Sequence, residues 1–285
     1  YDDIRNSIDR SSARETAARV AACSIAKKFL KDFGIEVGSY VENIGGIFPK
    51  NNFIDNFFNK PNSTKMTGEK LASLADKSSV RVLDTEQEKK IINKIKKVKK
   101  MGDTLGGTFY VVVTGVPVGL GSFEQYDTRL EAELAQAILS IQAVKGVEIG
   151  LGFESANLFG SQVHDEILLK GNSFIRKTNN AGGIEGGIST GMPIIIRGAM
   201  KPISTLMTPL QSVDLSTMKS VEARRERSDF VAVPACAVIG EAMVAWVVAK
   251  YFLDKFGGNS MEEVHDNYKS FTSNYFKRLQ NNFRK

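Results

Sequence analysis

Residues 234–252 read PACAVIGEAMVAWVVAKYF, and the fold turns on what this run is. An apolar stretch of this length either crosses a bilayer or lies inside a folded domain. Glu241 and Lys250 interrupt the window Ala235 to Leu253, which argues for a buried helix. A second long run, Ala13 to Phe33, is alanine-rich and apolar on most of its sides, and Gly34 stops it. Both therefore read as core helices. Strand material lies at Ile35 to Gly46, Thr108 to Val113, Val147 to Phe153 and Met192 to Met200.

The other segments follow from local signals. Ser11 or Ser12 opens the first helix, with Glu15 three residues after Ser12 as a capping box. Thr128 and Glu131 repeat that pattern before a helix whose Leu130, Leu134, Ile138 and Ile141 share a stripe. Asn51 to Thr67, rich in Asn, Lys, Phe and Pro, reads as a surface excursion. Ser161 to Lys177 reads as irregular, and the tail from Met261 as an amphipathic helix.

The chain has 285 residues, 42% hydrophobic and 25% charged, which is ordinary for a globular protein. Its net charge of +6 permits nucleic-acid binding without requiring it. Much of the excess sits on Lys89, Lys90, Lys94, Lys96, Lys97, Lys99 and Lys100. Ile91, Ile95 and Val98 occupy the opposite helical face, and no aromatic residue interleaves with the lysines. That pattern is a solvated helix face and counts against nucleic acid as a partner. Cys23 and Cys236 lie far apart in apolar stretches, without metal spacing, and suit a reducing, cytoplasmic setting with no membrane. The chain starts Tyr1-Asp2-Asp3, and we expect it to be the later part of a longer protein.

Asn179 to Gly191 reads NNAGGIEGGISTG, with an apolar strand next and then Lys201-Pro202-Ile203-Ser204-Thr205. Glycine permits positive φ and close backbone approach, and exposed amides with a lysine and hydroxyls suit a phosphate. The stretch reads as a cradle for a planar, phosphorylated ligand, or as a plain hairpin or irregular turn. It matches neither the dinucleotide fingerprint nor the P-loop. An echo links Arg10-Ser11 with Arg227-Ser228, each before an alanine-rich helix. It is either coincidence or the mark of two similar halves.

Several long motifs stand in register. They are Asp3-Ile4-Arg5-Asn6 with Arg10 to Val20, then Gly102-Asp103-Thr104-Leu105-Gly106-Gly107 and Gly115 to Gly121. Val144 to Gly150, the glycine stretch through Lys201-Pro202, and Arg227-Ser228-Asp229 complete the set. Together they resemble chorismate synthases, especially the version common in Gram-positive bacteria, over nearly the whole chain.

The resemblance implies an α+β fold, a β-α-β sandwich with central helices between two antiparallel sheets, and the two long apolar helices fit that buried layer. It implies one domain over residues 1–285, without the family's N-terminal segment. That segment carries two histidines and further arginines, which His164 and His265 do not replace. The implied reaction is the 1,4-elimination of phosphate from 5-enolpyruvylshikimate 3-phosphate to give chorismate. It needs reduced FMN, with a reductant such as NADPH acting directly or through a separate flavin reductase. The family forms homotetramers.

The resemblance also assigns residues. Asp229 corresponds to an aspartate beside a reactive flavin nitrogen, and an N-cap is its other reading. Arg19 and Arg227 correspond to substrate contacts, Arg227 also to a flavin contact. For Arg19 an ion pair to Glu15 or Glu241 is the plain alternative. FMN contacts fall on Arg10, Ser11, Ser12, Gln142, Ala143, Gly186, Lys201, Pro202, Ile203, Ser204 and Thr205. Two further readings stay open: a non-catalytic flavin-binding or oligomerising remnant, and a basic nucleic-acid-binding protein.

Overall fold

The computed structural model describes residues 3, 5–58, 66–171, 173–225 and 228–283. Helix α1 (Arg5–Ser11) and a 3-10 turn lead into α2 (Thr16–Asp32). Gly34, at φ +74°, reverses the chain into β1 (Glu36–Ile44). Two short helices, α3 (Phe53–Phe57) and α4 (Gly68–Ala75), precede the lysine-faced α5 (Thr85–Met101). Strand β2 (Gly107–Thr114), helix α6 (Leu130–Leu139) and strand β3 (Val144–Ile149) come next. A one-turn helix, α7 (Gly160–Val163), is followed by a ribbon of β4 (Ile167–Lys170) and β5 (Ser173–Arg176), then one of β6 (Ile184–Glu185) and β7 (Ile188–Ser189). Strand β8 (Ile194–Met200), a ribbon of β9 (Gln211–Asp214) and β10 (Lys219–Glu222), and helices α8 (Val233–Phe256) and α9 (Met261–Phe283) complete the chain.

One four-stranded sheet of order β1-β2-β8-β3 organises the molecule, with every neighbouring pair antiparallel. Strand alternation sorts its side chains between two faces. Phe109, Val111 and Val113 of β2 join Ile194 and Ile196 of β8 under helices α2, α6 and α8. Tyr40, Val112 and Ile195 turn the other way and are covered by Ile54, Phe58, Leu71 and Ala75 from α3, α4 and the residue after α3. Each such apolar side chain taken fully from water contributes about 1.5–3 kcal/mol. Phe29, Phe33, Phe252, Phe256 and Tyr268 lock the C-terminal ends of α2 and α8 to α9 through ring contacts of 4.5–5.6 Å.

The run that opened the sequence reading is α8, and its carbon-rich surface is spent on the sheet. It is long and apolar enough to cross a membrane, yet 67% of its apolar window is buried in the fold. Cys236 lies within it, and burial pushes the thiol up to about 12, which leaves it protonated and inert.

Five expectations need revision. Helix α2 buries only Thr16, Cys23, Ala26 and Leu30, so it is covered along one stripe and Ile25 stays 74% exposed. Ser12 caps the 3-10 turn, accepting from the Arg14 amide at 3.3 Å, and the Glu15 side chain does not return to it. Thr128 caps nothing; its hydroxyl donates to Ser122 and to the Gln125 carbonyl. Ser161 to Lys177 is a helical turn plus a ribbon rather than irregular chain. The Asn51 to Thr67 excursion forms α3 and anchors the sheet through Ile54 and Phe58, while 59–65 lie outside the described residues.

Gly38 fixes how α4 meets β1. A Cβ at Gly38 would lie 1.8 Å from the Gly68 carbonyl oxygen, backbone against backbone. Gly38→Ala is expected to cost about 1–3 kcal/mol through overpacking, read as a lower urea midpoint. An unchanged midpoint would show that this contact relaxes freely.

Candidate active site

The last residue of β8, Met200, pairs with Gly107 at the start of β2 and with Val144 at the start of β3. Gln142, Ala143 and Lys201 to Thr205, among the predicted residues, collect around this corner of the sheet. The Lys201 amide donates to the Ala143 carbonyl at 2.9 Å. Ala143 holds φ +66°, a left-handed conformation that costs energy in a residue with a side chain. The next residue, Pro202, packs on Gly106, where a Cβ would stand 2.4 Å from the Met200 carbonyl oxygen and 2.9 Å from the Pro202 ring. The Thr104 hydroxyl donates to the Ile203 carbonyl at 2.7 Å, and the Ser228 hydroxyl to that of Thr205 at 3.0 Å. The Leu105 amide donates to the Phe230 carbonyl at 2.8 Å. Thus Lys201 to Thr205 is clamped between residues 104–106 and 228–230. Ser204 and Thr205 border a 240 Å³ cavity with Leu206, Pro209 and Arg224.

The start of α2 reaches the same corner. Glu15 accepts from Arg19 Nε at 2.8 Å and from Gln142 Nε2 at 2.7 Å, and a second arginine nitrogen lies 2.7 Å from it. Arg19 Nη1 donates to the Ser140 hydroxyl at 2.8 Å. The Arg19 guanidinium, then the Gln142 amide, hold the Glu15 carboxyl below the usual carboxylate range. Gln142 Oε1 is buried and has no hydrogen-bond partner among the described residues. Helix α8 also begins here, three residues after Phe230. Two helix N-termini, with their partial positive charge, thus face one region.

Among the described residues, Arg10, Lys201 and Asp229 have no ion pair, and all three are exposed. Ser11 spends its hydroxyl on the Ser7 carbonyl at 2.8 Å, closing α1. Arg227 lies outside the described residues. For Arg19, the ion pair to Glu15 is what the structure shows.

Gly186 does not join this group. It and Gly187 form the two-residue turn of the β6–β7 hairpin, both at positive φ. The Gly187 carbonyl accepts from the Leu130 amide at the start of α6, whereas Ser140, at the far end of α6, contacts Arg19. The hairpin also enters β8 at Ile194, and seven residues of strand, roughly 20 Å, separate it from Lys201. The glycine stretch is therefore a hairpin at the opposite end of the sheet, and one copy of the chain does not form a single cradle from Gly186 and Lys201.

Sequence reasoning passed over a second polar cluster, on the outer face of the sheet. Arg197 of β8 bridges Glu42 and Glu148, each at 2.8 Å, beside a 460 Å³ pocket. An arginine inside an apolar strand was the available signal.

A planar ligand with a dianionic tail and a hydrogen-bonding edge fits the β8 corner. The Lys201 ammonium, two helix N-termini and an orphaned buried acceptor are its complement. Fold and site together define an α+β protein with a polar corner at the end of a central strand. The chorismate synthase family model matches residues 1–253. Chorismate synthase of Syntrophotalea carbinolica is 52% identical over 270 residues, covering 95% of this chain and 67% of that relative. That of Prosthecochloris aestuarii is 51% identical over 284 residues, covering 98% and 70%. A solved crystal structure of chorismate synthase, 42% identical, superimposes with a TM-score of 0.81 over 96% of this chain and 74% of that one. The chain belongs to the chorismate synthase family, carbon–oxygen lyases of the shikimate pathway. It spans about two thirds of the length of the curated relatives it matches.

Proposed function

We propose that this chain performs the 1,4-elimination of phosphate from 5-enolpyruvylshikimate 3-phosphate, giving chorismate, at the corner where β8 ends. The gathering of Gln142, Ala143 and Lys201 to Thr205 around Met200 is the observation that carries this reading. Reduced FMN supplies the electron-rich ring that the elimination requires, with no net redox change. Lys201 and Arg10 bind the FMN phosphate, with Ser12 beside them. Gln142 and Ala143 hold the polar edge of the ring, while Pro202, Ile203, Ser204 and Thr205 shape the wall beside it. Arg19 and Arg227 serve the anionic substrate, Arg19 from within its pair with Glu15. Asp229 takes a proton at its free carboxylate from the reacting region. The assembly is a cytoplasmic homotetramer, and NADPH reaches the flavin directly or through a separate reductase.

The lysines of α5 belong to the solvated reading. Lys94 donates to the Gly45 carbonyl, and Lys99 stands 5.7 Å over the Phe230 ring. Family membership supports catalysis over a non-catalytic remnant.

The test is anaerobic turnover with reduced FMN, following phosphate and chorismate together. Equal amounts of both products support the reading; tight FMN binding without either product favours the remnant. In the same assay, Lys201→Ala should weaken FMN affinity by about tenfold, the scale of one charge-assisted bond. Turnover at saturating FMN should change little. An unaltered FMN titration would remove Lys201 from the phosphate site.

A further inference from the structure

Glu15 has no role in the assignments above, yet it ties a substrate-side arginine to a cofactor-side amide. Its Oε2 accepts from Arg19 Nε at 2.8 Å, and its Oε1 lies 2.7 Å from Arg19 Nη2. The same Oε1 accepts from Gln142 Nε2 at 2.7 Å. Arg19 is pinned in turn, Nη1 to the Ser140 hydroxyl at 2.8 Å and 3.9 Å from Met243 Sδ on α8. The carboxylate is thus held by a two-pronged ion pair before it meets the glutamine.

A carboxylate accepts and cannot donate, so only the NH₂ end of the Gln142 amide can face it. This removes the freedom of the amide to flip. Oε1 is then forced to the opposite side, where it is buried and unpartnered among the described residues. A buried acceptor without a donor is costly, and a ligand that brings an N–H relieves the cost. The backbone beside it is also committed, since the left-handed Ala143 gives its carbonyl to the Lys201 amide. FMN offers one ring N–H flanked by carbonyls, the imide at N3.

We propose that Glu15 is a positioning residue, which by holding Gln142 Nε2 reserves Gln142 Oε1 for the imide N–H on the polar edge of the flavin. The inference rests on the functional reading above and deepens it. It makes Glu15 a determinant of which flavin edge the site accepts.

Flavin affinity tests this without turnover. The purified chain is titrated with FMN and with N3-methyl-FMN, which lacks that N–H, by flavin fluorescence and absorbance. The unaltered protein should prefer FMN by at least about tenfold, because a site built around a hydrogen bond rejects the analogue that lacks it. Glu15→Gln can donate as well as accept, so Gln142 regains its flip and the preference should fall below about threefold. Gln142→Met removes the acceptor and should erase the preference too, which serves if Glu15→Gln does not fold. Equal affinity of the unaltered protein for both flavins overturns the proposal and leaves the functional reading standing. A full preference retained in Glu15→Gln or Gln142→Met overturns it as well. Failure to bind either flavin overturns the functional reading and this proposal together.

Discussion

Asp229→Asn is expected to keep FMN affinity and lose turnover by about 10²- to 10⁴-fold, the range for a positioned proton-transfer group. Asp229 sits beside the clamped segment, because neighbouring Ser228 donates to the Thr205 carbonyl and neighbouring Phe230 accepts from the Leu105 amide. The backbone on both sides is therefore held, while the carboxylate has no partner among the described residues. A carboxylate placed by rigid backbone and left without a bond of its own is available to a reacting group. Asparagine preserves size and polarity and cannot take the proton. Single-turnover phosphate release at saturating FMN is the measurement. Near-normal turnover in the variant would return Asp229 to a structural part.

Glu241→Ala is expected to cost about 1–3 kcal/mol, the loss seen when buried polar groups are left without their partner. Glu241 lies on α8 with 5% of its surface exposed and ion-pairs with Lys27 of α2. It accepts from the wholly buried Ser39 hydroxyl of β1 at 2.8 Å and lies 3.8 Å from Arg81. Burial lowers the Arg81 pKa and the Glu241 charge opposes that shift, so truncation leaves Lys27 without its partner and Arg81 with Asp76 alone. Arg81 is already in a left-handed conformation at φ +58°, with Nη2 donating to the Ser39 carbonyl at 3.0 Å. The group joins helix, sheet and loop at one point. Urea unfolding measures the loss, and a change below about 1 kcal/mol would mean that water fills the site as well as the carboxylate does.

The helices and strands were legible because their causes are local. A run of aromatic and β-branched residues marked β2, and the lysine-faced α5 has Asp84 capping one end and Gly102 at φ +73° closing the other. Caps were read less well for the same reason. Glu15 has a backbone amide three residues back and an arginine four residues on, and sequence spacing does not rank them. The winning partners include Gln142, 127 positions away. Gly186 shows the complementary limit. Seen along the chain, it and Lys201 are fifteen residues apart and suggest one loop. In space the seven-residue strand β8 holds them at opposite ends of a sheet.

Helices α2 and α8 both begin at the corner where β8 ends, so their backbone dipoles lie side by side and point the same way. Glu15 stands immediately before α2 and already sets a carboxylate against its pole. The start of α8 has neither a side-chain cap nor an acidic residue in its first turn, so a phosphate at the corner would oppose that pole. Holding the anion and holding the helix would then reinforce each other.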